Sequence, residues 1–298
     1  MVRRLAAQQF VIPLSFHHYG LIAMKNFARL LGTVLALCCC GTGAAKADMK
    51  DIYAANNSAN MDIGFQRQKY GETVGGLSFD YEKGTLPNLG FGLNYMPHGK
   101  YSSWLLRNLY ISLQGDFGLG NTDYTGGLCS AGVCVPYTTT TENTILSFAL
   151  RLGHGFPVSN QVMLIPYGDL GFRSWERKLT GIGGYTETYQ HGTAMAGLLT
   201  EYSPAERWVL GLGVEGGTTF GASMKTGGYN YDLAARPAWQ FETRAGYRVT
   251  KHLEITAKGA YSGFGYGASP LVGNGSYEPD SYTHNIRATV GVAYQYAP

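Results

Sequence analysis

The sequence predicts an all-β chain, a transmembrane antiparallel β-barrel of about ten strands. Three observations predict it: an export leader, a period-two alternation of apolar and polar residues along most of the chain, and connections that alternate between short and long.

The leader comes first. Lys25 and Arg29 precede an apolar run from Leu30 to Cys40, and small residues follow up to Ala45-Lys46-Ala47. A basic stretch, a short apolar stretch and an A-x-A site form a secretory signal peptide. The apolar run is too short for a spanning helix, which needs about 20 residues. Residues 1–47 are therefore read as leader, with cleavage before Asp48, and residues 48–298 as the barrel. Met24 sits just ahead of the basic residues and is an alternative start. Three of the five cysteines, Cys38 to Cys40, fall in the leader, and Leu37 ahead of Cys38 fits a lipidation site poorly.

Charge narrows the function classes. Five basic and no acidic residues lie in the leader, so the mature part holds 18 basic and 20 acidic residues. The slight basic excess of the whole chain belongs to the leader and gives no reason to expect nucleic-acid binding. Glycine (42 residues) and tyrosine (22) are abundant. Such glycine content weakens an ordinary packed core but suits a curved sheet with kinks and tight turns.

The strands follow from alternation, because successive side chains of a strand point to opposite faces. The last segment is the clearest. Ile286, Ala288, Val290, Val292, Tyr294 and Tyr296 share one face, and Asn285, Arg287, Thr289, Gly291, Ala293 and Gln295 share the other. The same pattern recurs in 108–120, 144–155, 161–176, 188–202, 207–222, 234–249 and 252–266. Segment 89–96 and a weaker one at 60–70 bring the number to ten, preferred to eight or twelve. In 60–70 the apolar face continues into Arg67 and Lys69, long cations able to snorkel. Glycine-rich stretches at 75–76 and 84–88 read as turns.

Short links near 156–160, 203–206 and 250–251 alternate with long ones near 121–143, 177–187, 223–233 and 267–282. Transmembrane barrels have short periplasmic turns and long external loops, so the strand at 108–120 is expected to run outward. Tyr110, Trp208, Trp239, Tyr247, Tyr261 and Tyr294 are expected to form interfacial girdles. A secreted sandwich would also alternate. The leader, the strand lengths and the loop alternation favour the lipid-facing reading.

The polar face carries both signs of charge: Asp116, Arg151, Asp169, Arg173, Glu215, Glu242, Arg244, Lys258 and Arg287. In a narrow lumen these groups must find partners. The expected network links Asp169, Glu215 and Glu242 with Arg173, Arg244 and Arg287, and it would close the lumen to most solutes. Cys129 and Cys134, in a glycine-rich loop, are expected to form a disulfide in an oxidising compartment. No Cys or His lies near that pair to complete a metal site, and no C-x-x-C occurs. No cofactor motif is found.

On these grounds residues 25–298 resemble a small single-chain outer-membrane β-barrel protein of a Gram-negative bacterium. The resemblance implies outer-membrane localisation, assembly by the outer-membrane folding machinery, contact with outer-membrane lipids and lipopolysaccharide, and loops at the cell surface. Such chains usually end in an aromatic residue. Tyr294 and Tyr296 fit, but Ala297 and Pro298 follow them.

No one activity is implied. The expected role is non-enzymatic, structural or partner-contacting, with tyrosines of the loops (Tyr124, Tyr137, Tyr185, Tyr229, Tyr231, Tyr277 and Tyr282) offered to a surface ligand. Two alternatives stay open. One is a small solute channel. The other is an enzyme with His191 beside Glu187, and His284 near Asp280, at the external rim, where a carboxylate orients a histidine as general base.

Overall fold

A computed structural model describes residues 48–98, 103, 106–130, 133–273 and 275–296. Residues 1–47, which the sequence reads as a leader, and the two final residues lie outside them. Residues 46–128 and 134–298 form one compact unit, and the features below belong to it.

The chain opens with a short helix, α1 (Met49–Ala55). Asp48 caps it: its Oδ1 accepts the backbone N–H of Lys50 at 3.2 Å, which holds this carboxyl below its usual range. The strands are β1 (Ser58–Val74), β2 (Leu77–Tyr95), β3 (Leu109–Ser130), β4 (Val133–His154), β5 (Phe156–Pro157), β6 (Val162–Leu179), β7 (Thr186–Tyr202), β8 (Trp208–Thr226), β9 (Tyr229–Asp232), β10 (Pro237–Arg248), β11 (Leu253–Tyr266) and β12 (Asp280–Gln295). Strands β5 and β9 are short side pairings on β6 and β8. The other ten follow one another round a ring that closes through β12 on β1 and β8 on β10. Closure leaves the ten ring strands without a free edge.

The ten strands match the expected number, but the first four are much longer than the sequence suggested. Stretches expected as loops at 121–143 and 71–88 are largely strand, and 223–233 partly so. Gly84 to Asn88 lie inside β2, paired with Gln68 to Gly64 of β1. The true turn is Gly75-Gly76, with φ of 59° and 81°. Two consecutive left-handed residues fit the right-handed twist of a hairpin, which is why glycine stands at both. Among the described residues, only 267–279 remains a long connection at the end opposite the termini.

The outward face changes character along β1, β2, β3, β4, β6 and β8. Met61, Ile63, Phe65, Leu89, Phe91, Leu93, Leu113, Leu150, Leu152, Leu170, Ile255, Val290 and Val292 are exposed and form an apolar belt. Trp208, Tyr247, Tyr294, Tyr95 and Tyr296 are exposed near the termini end. Beyond the belt the same outward rows become charged: Arg67, Lys69, Lys83, Asp123, Glu142, Glu176, Lys178 and Lys225. The ladders thus outrun the belt and stand above it as a polar collar. Tyr110, expected in a girdle, is instead buried on the inner face. Its parity on β3 places it with Ser112 and Gln114, facing the lumen. Among the described residues no helix is long and apolar enough to cross a membrane.

Candidate functional site

The inner face is filled in three tiers. At the termini end α1 lies within the lumen. Ile52 and Ala55 pack with Met96, Tyr110, Met163, Ile165, Tyr167, Leu199 and Val209. Polar anchors fix the helix: Asp51 meets Arg248 Nη2 at 2.5 Å and accepts the backbone N–H of Arg207 at 3.2 Å. Asn57 Nδ2 donates to the carbonyl of Met96 at 2.8 Å, and Asn56 donates to Glu201. The sequence offers one signal for this helix. An N-cap aspartate precedes Met49, Ile52 and Tyr53, spaced for one helical face.

The middle tier holds the charges expected from the alternation, with different partners. Asp169, Glu215 and Glu242 converge on Arg151. Its Nε lies 3.0 Å from Asp169, its Nη2 3.0 Å from Glu215 and its Nη1 2.6 Å from Glu242. Its guanidinium also stands 4.8 Å from the Tyr167 ring centre. Arg244 does not join these carboxylates. It pairs with Glu254 at 2.5 Å and Glu201 at 3.7 Å. Arg287 pairs with Asp116, and Lys258 with Asp62 at 2.8 Å.

Arg173, expected in the network, makes no ion pair among the described residues. It donates to Ser147 at 3.3 Å and Gln68 at 3.2 Å and stacks over Phe264 at 5.3 Å. The physical reason is height. Arg173 is four residues further along β6 than Asp169, and in a tilted barrel that is a different storey from Glu215 and Glu242. Between the storeys lie two cavities of about 90 Å³ and about 150 Å³, lined by charged and amide side chains together with apolar ones. Gln114, Asp116, Arg151 and Arg287 border both.

The outer tier was missed, because its strands were cut short. Arg177, fully buried, sits among four carboxylates: Glu187 at 2.5 Å, Glu82 at 2.7 Å, and Glu72 and Asp80 at 3.6 Å each. Rings surround it, with Tyr70 at 4.9 Å and Tyr124 at 5.5 Å. Tyr70, Trp175, Tyr189 and Tyr266 are essentially unexposed and form an apolar layer with Leu86, Ile145, Met224 and Leu233. Loop 267–279 docks onto this tier. Tyr189 OH donates to Glu278 at 2.6 Å, and Tyr231 OH contacts Ser276 Oγ at 2.7 Å. Burial, with Glu187 close by, pushes the Glu278 carboxyl up to about 8. Continuing the period of two through 72, 80, 82, 177 and 187 is the signal that would have found this tier.

The rim histidines do not form the expected pairs. His191 faces inward, and its Nδ1 lies 2.8 Å from Tyr266 OH, with the Phe264 ring beside it. Glu187 is taken by Arg177. His284 stands on the opposite, outward face near Trp239 and Tyr261. Asp280 pairs with Arg236. Of the loop tyrosines, Tyr124 and Tyr231 are buried, whereas Tyr185, Tyr229 and Tyr277 are exposed. The side chains of Cys129 and Cys134 lie outside the described residues. Among the described residues no group of three or more His, Cys, Asp or Glu side chains is placed to hold a metal ion.

Comparisons agree with this architecture. The family described as "Outer membrane protein beta-barrel domain" matches residues 32–221, more than half of the chain. No curated protein matches. Three of the solved structures that the chain is similar to are as follows. The transport unit of the autotransporter AIDA-I from Escherichia coli has 13% identity and a TM-score of 0.43, covering 80% of this chain and 90% of its own. The translocator domain of the autotransporter NalP from Neisseria meningitidis has 12% identity and a TM-score of 0.37, covering 92% of this chain and 98% of its own. Neisserial surface protein A has 11% identity and a TM-score of 0.30, covering 80% and 97% respectively. With a closed ten-stranded ring, an apolar outer belt and a charged interior, the chain belongs to the outer membrane protein beta-barrel domain family, in the outer membrane of a Gram-negative bacterium.

Proposed function

We propose that this chain is a non-enzymatic barrel, sealed to solutes, that presents the collar above its apolar belt for structural or partner-contacting roles. One observation carries the reading: the lumen is filled from both ends, by α1 with its apolar cluster and by the Arg177 tier with its aromatic layer. The two cavities between them are small and lined in part by charged and amide side chains, which suits water molecules. The charged residues of the middle tier act as lumen filling. Each buried charge has a partner or a ring, so the network sets a unique packing rather than adding much net stability.

In this reading residues 1–47 are removed on export, and the ten strands cross the lipid at the apolar belt. The termini face the periplasm, the outer-membrane machinery inserts the barrel, and the collar faces outward among lipopolysaccharide. A Cys129–Cys134 crosslink would tie the tip of the β3–β4 hairpin. Exposed Ile182, Leu271, Tyr185, Tyr229 and Tyr277 supply contact surface at that end.

Planar-bilayer recording of the purified barrel tests the seal. The expected result is no stable conductance, and regular ion currents would support the channel reading instead. An epitope inserted after Ile182 tests the orientation. Staining on intact cells is expected, and staining only after permeabilisation would reverse the topology.

A further inference from the structure

The outward wall of β1 and β2 carries a feature that the sealed-lumen reading does not use. Arg67 and Lys69 on β1 and Lys83 on β2 are all exposed. Register brings them together: Lys69 is paired with Lys83 on one side and with His284 on the other, and Arg67 with Thr85 and Ile286. Paired positions in an antiparallel ladder lie about 4.5 to 5.5 Å apart at Cα, so the three cations share one small patch. Directly below them are Ile63, Phe65 and Leu89, and beside Arg67 is Ile286, all part of the apolar belt. Tyr81 and Tyr282 flank the patch at its upper side.

Two comparable cations elsewhere on the collar are neutralised. Lys178 meets Glu142 at 2.9 Å, and Arg236 meets Asp280. Among the described residues Arg67, Lys69 and Lys83 make no ion pair. The one outward carboxylate in register with them is Asp123, opposite Lys83 on β3. Lys69 and Lys83, opposite each other on the ladder, repel, and Asp123 is in register with Lys83 alone, so a further anion beside Arg67 and Lys69 would relieve the repulsion. That anion must sit at the depth where hydrocarbon ends, carry more than one negative charge, and be continuous with acyl chains lying on Ile63, Phe65 and Leu89. Basic clusters at this depth recognise lipid headgroups.

We propose that Arg67, Lys69 and Lys83 bind the phosphates of the outer-leaflet glycolipid of lipopolysaccharide, with its acyl chains laid against the β1–β2 face of the belt. A glycolipid bearing two phosphate groups matches three cations better than a phospholipid bearing one. The site rests on the proposed orientation, in which the collar faces the outer leaflet.

Native mass spectrometry of the full barrel in detergent tests the site independently of orientation, which the epitope at 182 tests by itself. The probes are bisphosphorylated lipid A, the same lipid A with its phosphates removed, and phosphatidylglycerol. The wild-type barrel is expected to retain bisphosphorylated lipid A at least tenfold better than either other lipid, and less well as salt is raised. The variant R67Q/K69Q/K83Q should lose that preference, whereas R67K, and K178Q/K225Q on the far side of the collar, should keep it. Unchanged binding by the triple variant, equal loss in K178Q/K225Q, or equal retention of phosphatidylglycerol by the wild type would overturn the assignment. The salt series on the wild type reads the same interaction without substitution, so a variant that failed to fold would not leave the question open.

Discussion

The two ends of the lumen are filled by different physics. At the termini end the stopper is a helix whose apolar side packs into the wall, with one ion pair, Asp51 to Arg248, at its edge. At the opposite end a single guanidinium holds four carboxylates from β1, β2 and β7, and a loop carboxylate rests on the tyrosine above them. Apolar packing is spread over many contacts and insensitive to pH. The outer closure is concentrated in one cation, with carboxylates in excess. The difference teaches where this barrel is robust and where it is brittle.

Removing the outer hub is expected to have the largest effect. Arg177→Met leaves four buried carboxylates facing one another without a cation, and breaking a buried charge cluster in this way costs about 3 to 5 kcal/mol. The check is urea unfolding of the barrel in lipid vesicles, together with the temperature at which the folded band converts in detergent gels. Arg151→Met should cost less, because Arg244, Arg287 and Lys258 share the middle tier. Equal losses would mean that the two hubs are equivalent and that the comparison fails.

The inner end should yield a smaller change. Ile52→Ala removes a fully buried side chain from the apolar cluster, for an expected loss of about 2 to 3 kcal/mol. The same unfolding assay reads it, and its effect should not vary with pH.

The smallest effect distinguishes the ends by titration. In the folded chain Glu278 holds its proton up to about 8, well above an ordinary glutamate. Its docking is therefore strongest at acid pH, weakens once the undocked carboxyl would ionise, and is lost as pH rises through that value. Protease cleavage within 267–279 should accelerate between about pH 5 and about pH 9. Glu278→Gln should flatten the dependence, while α1 stays protected throughout. A cleavage rate independent of pH would show that the loop is not held by this carboxyl.

Much of the architecture was legible in the sequence because a strand repeats every two residues. Rows such as Ile286, Val290 and Val292 announce their face with no knowledge of neighbours. Strand ends were harder to read. Where the outward row turns charged, as at Arg67 and Lys69 or Glu176 and Lys178, polarity on both faces resembles a loop, and only the ladder partner reveals a strand. That one error hid Arg177 and misplaced Tyr124 in a loop. The pairing of charges was not legible at all. Residues of like type on neighbouring strands meet only when tilt and register bring them to one height, so Arg151 rather than Arg173 took Asp169. The helix at 49–55 was too short for periodicity to stand out.

The collar of continued ladders has a consequence for recognition. Ordering a loose segment on binding costs conformational entropy, roughly 1 to 2 kcal/mol per residue for the backbone alone. Here β1 and β2 are already hydrogen-bonded up to a two-residue turn. Whatever meets that rim encounters a preorganised surface, so its affinity is set by the match of side chains rather than by the freezing of a mobile partner.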